Sequence, residues 1–182
     1  NKGDSFYVTN TTATINLENN TIVNNDSTGN FLRIQKDSWG NTGNNGGTVT
    51  LNLTNQEVTG NIVVDSISKL TMSLSNGSTF KGSINTANEG EVSLTLDKTS
   101  SITLTANTYV KSLTNADTTN SNINLNGYKL YVNGTELTKS QEKSCFFLVI
   151  VFYLRYNNKL FYGGIMHIID DISILKEKIN KS

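Results

Sequence analysis

A glycine- and asparagine-rich segment, DSWGNTGNNGG from Asp37 to Gly47, carries the residues of this chain that are best suited to chemistry. It contains the one tryptophan, Trp39, between two strand-like segments. An exposed indole ring is a platform on which a sugar ring stacks, and nearby carboxylate and amide groups can hydrogen-bond to sugar hydroxyls. The predicted ligand-binding residues are therefore Asp37, Trp39, Asn41 and Asn44. In the alternative interpretation, Trp39 is buried because it folds back and fills a gap between neighbouring elements.

Acidic residues are the second candidate for chemistry. Asp65, Asp97 and Asp117 occupy turn-like positions, and Arg33 is the one arginine of the region before the C-terminal tail. Polysaccharide lyases and hydrolases need neighbouring carboxylates, which this spacing does not establish. The one histidine, His167, lies in the tail, which argues against a histidine-based triad or zinc site in the preceding region. We therefore predict turn acids, with no catalytic residue, no metal site and no cofactor.

The candidate residues lie within a sequence repeat, and the elements of that repeat determine their positions. Three segments begin with apolar residues at alternate positions, and alternation with a period of two is typical of a strand with one buried face. Their starts are 21 and then 22 residues apart, and weaker copies begin at Thr14, Phe31 and Asn122. A short period built only of strands and turns predicts a β-solenoid with coils of about 21–22 residues, and the alternative is an antiparallel β-sandwich. The alternating residues are Val49, Leu51, Leu53, Leu70, Met72, Leu74, Val92, Leu94 and Leu96.

Several segments resemble a known architecture. FYVTNTTATINLENNTIVNND, DSWGNTGNNGGTVTLNLTNQ, VTGNIVVDSISKLTMSLSNGSTFKGSIN and the region from LTANTYV to YVNG are similar to the last coils of large bacterial surface proteins. Those proteins are right-handed parallel β-helix, adhesin-like repeat proteins of the pectin-lyase-like type, and the resemblance covers about residues 5 to 137. It implies an all-β fold and an extracellular or cell-surface location. It implies no fixed catalytic set.

Composition narrows the list of partners. The formal net charge is +0 and 16% of residues are charged, so nucleic acid is not a predicted partner, because its binding needs clustered Lys and Arg. The one cysteine, Cys145, excludes an intrachain disulfide. The chain begins at Asn1, and we expect it to be the C-terminal part of a longer protein. The predicted partner is a polysaccharide or a ligand on a host or microbial surface.

The composition changes after Thr138, which divides the chain into a repeat region, 1–138, and an atypical tail, 139–182. Ten consecutive apolar residues run from Cys145 to Leu154. A membrane-spanning helix needs about 20, so no span is predicted. The run is interpreted either as a strand that closes the solenoid or as translated spacer DNA. In the second case the codons for YGGIM would contain a ribosome-binding sequence followed by a start codon. The residues after Met166 would then form a short amphipathic helix.

Three functions remain open. The first is a non-catalytic, secreted or cell-surface β-helix module that acts as a structural stalk or adhesin-like piece. The second is a carbohydrate-binding module that uses the Trp39 loop. The third is a fragment of a β-helix polysaccharide lyase or hydrolase whose catalytic coils lie outside this chain.

Overall fold

The structure, a computed structural model, describes residues 3–138, which form β-strands and turns without a helix. Within that range no helix is therefore long and apolar enough to cross a membrane. The tail predicted to end in a short helix, including the apolar run and His167, lies outside the described residues. The strands are β1 (Phe6–Val8), β2 (Thr11–Glu18), β3 (Thr21–Val23), β4 (Leu32–Ile34), β5 (Gly47–Thr54), β6 (Glu57–Thr59), β7 (Ile62–Val64), β8 (Lys69–Ser75), β9 (Thr79–Gly82), β10 (Glu91–Leu96), β11 (Ser101–Leu104), β12 (Thr108–Val110), β13 (Ser112–Asn115), β14 (Ile123–Asn124), β15 (Leu130–Val132) and β16 (Thr135–Glu136).

The strands stack into parallel sheets that the chain visits in a repeating order. Face one contains β1, β4 and β7, and its line continues through a parallel bridge from Ile62 to Ile84. Face two contains β2, β5, β8, β10 and β13, and face three contains β3, β6, β9, β11 and β14. A further sheet, β12-β15-β16, includes the antiparallel pair β15–β16. Stacked parallel pairing is consistent with a β-solenoid, and the antiparallel sandwich is wrong.

The predicted repeat length holds in the middle of the chain and fails at its start. On face two, Leu51 pairs with Met72 and Met72 pairs with Leu94, which are offsets of 21 and 22 residues. Ile15 pairs with Leu51, an offset of 36, because the connections before β4 and β5 are longer in this turn of the chain. The segment at Phe31, predicted to be a weak copy of the face-two strands, instead supplies β4 to face one.

Aliphatic columns fill the interior. All nine alternating residues predicted to point inward are at most 1% exposed, and on face three Val58, Phe80, Ile102 and Ile123 form a matching column. Each inward side chain packs between its counterparts in the strands on either side, because parallel strands lie about 4.8 Å apart. The alternation of the sequence therefore identified the core.

Asparagine residues occupy the turns, or corners, that connect face two to face three. Between faces two and three, Asn19, Asn55 and Asn76 have φ values of 54°, 47° and 55°, which are left-handed conformations that asparagine tolerates better than most residues. Their side chains also stack, since Asn55 Nδ2 donates to Asn19 Oδ1 at 2.7 Å. In the next turn of the chain, Asp97 Oδ2 accepts from the backbone N–H of Asn76 at 2.7 Å. This corner explains how a chain without proline turns repeatedly at the same place.

Candidate functional site

Trp39 lies on a 12-residue loop, residues 35–46, that connects β4 to β5. The equivalent connection from β7 to β8 has four residues, 65–68, so the loop is an insertion at the corner between faces one and two. The Trp39 side chain is 54% exposed. The interpretation of Trp39 as a buried plug between coils is therefore wrong.

Buried asparagine fixes the backbone of this loop. Asn45 is 5% exposed, and its Nδ2 donates to the carbonyl oxygens of Asp37 at 2.7 Å and Trp39 at 3.0 Å. The backbone N–H of Lys36 donates to Asp65 Oδ2 at 2.8 Å. Within residues 3–138 the Asn45 Oδ1 atom is buried without a hydrogen-bond partner, so the constraint comes from the two bonds that Nδ2 donates. The backbone that carries the exposed Trp39 side chain is therefore held in place by hydrogen bonds.

Asp37 forms a hydrogen bond with Tyr7, a residue on the outer side of face one. Tyr7 Oη donates to Asp37 Oδ2 at 2.9 Å, and the Ser38 N–H donates to Asp37 Oδ1 at 2.6 Å. The backbone hydrogen bond from Ser38, followed by that from Tyr7, lowers the pKa of Asp37. Burial and then the hydrogen bond to Asp37 raise the pKa of Tyr7. The Asp37 carboxylate is therefore ionised at neutral pH and held in place by its neighbours.

A cationic group extends this cluster along face one. The Arg33 guanidinium lies 3.9 Å from the centre of the Tyr7 ring, within the range of a cation–π contact. Arg33 also forms an ion pair with Asp4, in which Nε lies 2.6 Å from Oδ2. Asp4, Arg33, Tyr7 and Asp37 form a continuous polar row that ends at the Trp39 loop.

The four predicted ligand-binding residues share one loop and are all exposed. Asn41 and Asn44 close a turn, in which the Asn44 N–H donates to the Asn41 carbonyl oxygen at 2.9 Å. The two Asp37 carboxylate oxygens already accept hydrogen bonds from Tyr7 and Ser38, so this side chain supports the loop. Tyr7, Arg33 and Asn45 were not among the predicted ligand-binding residues. Tyr7 lies at an outward position of an alternating segment, and that position was the only signal for it.

Asp97 and Asp117, which were considered as catalytic candidates, stabilise turns. Burial raises the pKa of Asp97, but hydrogen bonds from Ser100, Asn76 and Thr99 outweigh it and lower the pKa to about 2. Hydrogen bonds from Ser121 and Thr119 lower the pKa of Asp117 well below its usual range. Among residues 3–138 no three acids, histidines or cysteines come together as a metal site would need. These contacts are typical of turn acids.

Polar clefts lie elsewhere on the described part of the stack. One, of about 510 Å³, is lined by residues of the asparagine corner, including Asn19, Asn55 and Glu57. Another, of about 380 Å³, is lined by residues that include Glu91 and Lys111. None of the four predicted ligand-binding residues lines either cleft.

Comparison with known proteins assigns no family to the chain. No protein-family model matches it. No curated protein and no solved structure matches it. The arrangement of residues 3–138 is thus the basis for any statement about function.

Proposed function

We propose that the chain is a non-catalytic, extracellular or cell-surface module with a right-handed parallel β-helix, a structural stalk or adhesin-like piece. The observation that supports this proposal is the stack of buried apolar columns beneath outward rows of Thr, Ser and Asn. Such a stack is a stiff scaffold with a polar surface, on a chain whose formal net charge is +0. Right-handed winding is the expected hand, because connections between parallel strands of one sheet are right-handed in about 98% of cases.

Turn chemistry supports the non-catalytic part of the proposal. The carboxylates of Asp65, Asp97 and Asp117 accept hydrogen bonds from backbone N–H groups of their own turns. A general acid or base needs a carboxyl group that faces a substrate and has a pKa suited to proton transfer. A pKa of about 2 for Asp97 suits neither a proton donor nor a base at neutral pH.

The experiment has two parts. The purified chain is incubated with soluble pectin and β-glucan, and we expect no new reducing ends and no unsaturated products. Antibodies against residues 3–138 are then applied to intact cells that produce the protein, and we expect surface labelling or secreted protein in the medium. Polysaccharide cleavage would overturn the non-catalytic assignment, and retention inside intact cells would overturn the location.

A carbohydrate-binding role for the Trp39 loop is the second candidate function. It is favoured by the 54% exposure of Trp39 on a backbone that Asn45 anchors. Because the chain has one tryptophan, its fluorescence reports directly on this loop. We expect the emission to shift when a binding polysaccharide is titrated.

A matched pair of variants tests this second role. Trp39→Ala should abolish polysaccharide binding and change the free energy of unfolding by less than about 1 kcal/mol, because the ring is largely exposed. Tyr128→Ala removes another exposed aromatic ring, 41% exposed and far along the sequence, and should leave binding unchanged. Equal loss of binding in the two variants, or none in either, would reject the Trp39 loop as the site.

A further inference from the structure

The outward surface of face two contains a neutral area that face three lacks. On β5, β8 and β10, which have a neighbouring strand on each side, two adjacent rows of outward residues contain only neutral hydrogen-bonding side chains. These six residues, here called the neutral strip, are Thr50, Thr71 and Ser93 in one row and Asn52, Ser73 and Thr95 in the other. On β6, β9 and β11 of face three, each of the two outward rows contains a charge, Glu57 in one and Lys81 in the other. The neutral strip lies on the broad side of the stack, because its three strands are the inner strands of face two.

The threonine hydroxyl groups of the neutral strip are available to a ligand. Across the rows, Ser73 Oγ donates to Asn52 Oδ1 at 2.7 Å. Within residues 3–138, no side-chain hydrogen bond uses the hydroxyl groups of Thr50, Thr71 and Thr95. A hydroxyl group can both donate and accept a hydrogen bond. Both rows therefore present donors and acceptors that the protein itself does not use.

The neutral strip is held rigidly from beneath. The inward residues of the same strands, Leu51, Met72 and Leu94, are at most 1% exposed and pair with one another in register. Threonine has few side-chain rotamers because it is branched at Cβ. The ordering of flexible side chains is one of the costs that oppose binding. A ligand on these rows would therefore lose little binding free energy to ordering of the protein.

We propose that the neutral strip binds an uncharged polysaccharide of the β-glucan type. The hydroxyl groups of such a chain donate to and accept from threonine, serine and asparagine side chains. Nucleic acid and acidic polysaccharides need cationic side chains, and Lys69 of β8 is paired with Glu91 at 3.3 Å. Protein partners are commonly anchored by Trp, Tyr or Arg, and none of the six residues of the strip is of these types. The charge and the residue types of the strip thus favour a neutral chain that is rich in hydroxyl groups.

The positions of the neutral strip repeat at regular intervals. Neighbouring strands are about 4.8 Å apart and alternate residues of one strand are about 6.6 Å apart, so a polymer meets several equivalent positions at once. Single exposed hydrogen bonds are weak, but several on one polymer act together. The Trp39 loop ends where β5 begins, so the indole ring and the strip belong to adjoining parts of the chain. This assignment of a ligand class rests on the proposed surface role and deepens it.

Matched pairs of variants test the neutral strip. Thr50→Val with Thr71→Val removes two hydroxyl groups and keeps the branched shape that favours a strand. Thr79→Val with Thr103→Val makes the same change at outward positions of face three and is the control. Calorimetric titration of the full chain with soluble β-glucan should show binding that the face-two pair weakens by roughly 5- to 100-fold, as expected for the loss of about two hydrogen bonds. The control pair should leave this binding unchanged, and titration with polygalacturonate should show none.

Circular dichroism verifies that each variant is folded, and Thr95→Val alone tests the strip if the face-two pair is not. Equal weakening by the two pairs, weakening by neither, or equal binding of polygalacturonate would overturn the proposal. If Trp39→Ala abolishes binding and the face-two pair does not weaken it, the loop is the site and the strip is not. An unmodified chain that binds no β-glucan would also overturn the strip, whereas surface labelling decides the proposed stalk role separately.

Discussion

Met72 is the most informative position at which to perturb the stack. It is fully buried, lies in the middle of face two, and pairs with Leu51 on one side and Leu94 on the other. Met72→Ala removes three heavy atoms, whose burial is worth about 2.4 kcal/mol at about 0.8 kcal/mol per group. The remaining cavity adds a further cost, because strands fixed on both sides cannot collapse into it. We therefore expect about 3–4 kcal/mol of destabilisation, within the usual range of about 2–5 kcal/mol.

Urea unfolding followed by circular dichroism measures this cost, and the thermal midpoint should fall by roughly 10 °C. The control is Thr71→Ala on the same strand, since Thr71 is outward and exposed, and its cost should stay below about 1 kcal/mol. Ser73 is a poorer control because its Oγ donates to Asn52 Oδ1 at 2.7 Å. Similar losses for Met72→Ala and Thr71→Ala would refute the assignment of inward and outward faces.

Three further predictions concern other parts of the chain. Because the pKa of Asp97 is lowered to about 2, its stabilising effect is complete above about pH 4 and is lost as the pH falls toward 2. The free energy of unfolding of the native protein should therefore fall by about 1 kcal/mol between about pH 4 and pH 2, after allowance for solvent screening, and Asp97→Asn should remove this part of the pH dependence. Gly82→Ala should cost about 1–3 kcal/mol in urea unfolding, because the new Cβ would overlap the carbonyl oxygen of Gly60. Removal of the residues after Ser140 should leave the β-sheet circular dichroism spectrum of the remainder unchanged, and loss of that spectrum would show that the tail is needed for folding.

The interior was predictable from sequence because inward positions follow one local rule. Leu70, Met72 and Leu74 alternate with polar residues, and a strand of this kind can bury only one side. Their neighbours in space followed from the constant spacing of the repeat. The same rule misplaced Leu32 and Ile34, because alternation shows that a strand has a buried side without showing which face of the stack it joins.

The surroundings of Trp39 were not predictable, because they depend on contacts between distant parts of the chain. Tyr7 reaches Asp37 across a separation of 30 residues, within the turn of the chain that departs most from the regular spacing on face two. The two hydrogen bonds that Asn45 Nδ2 donates to the loop backbone depend on the path of the loop. Nothing in a run of asparagines and glycines distinguishes Asn45 from Asn44. Exposure of the indole ring follows from that path, so sequence left both interpretations of Trp39 open.

The low charge of the chain determines how a surface module of this kind would contact its ligand. Along the sides of the described stack, backbone groups of the inner strands are used in pairing, and rows of Thr, Ser and Asn face outward. With a formal net charge of +0, there is no long-range attraction that would draw a charged partner to the chain. Contact with a polysaccharide would instead rest on short-range interactions, namely stacking on the exposed Trp39 ring and hydrogen bonds from polar side chains. Weak contacts of this kind become strong binding only when several of them act together, and a stack that presents many polar groups in regular rows is suited to that.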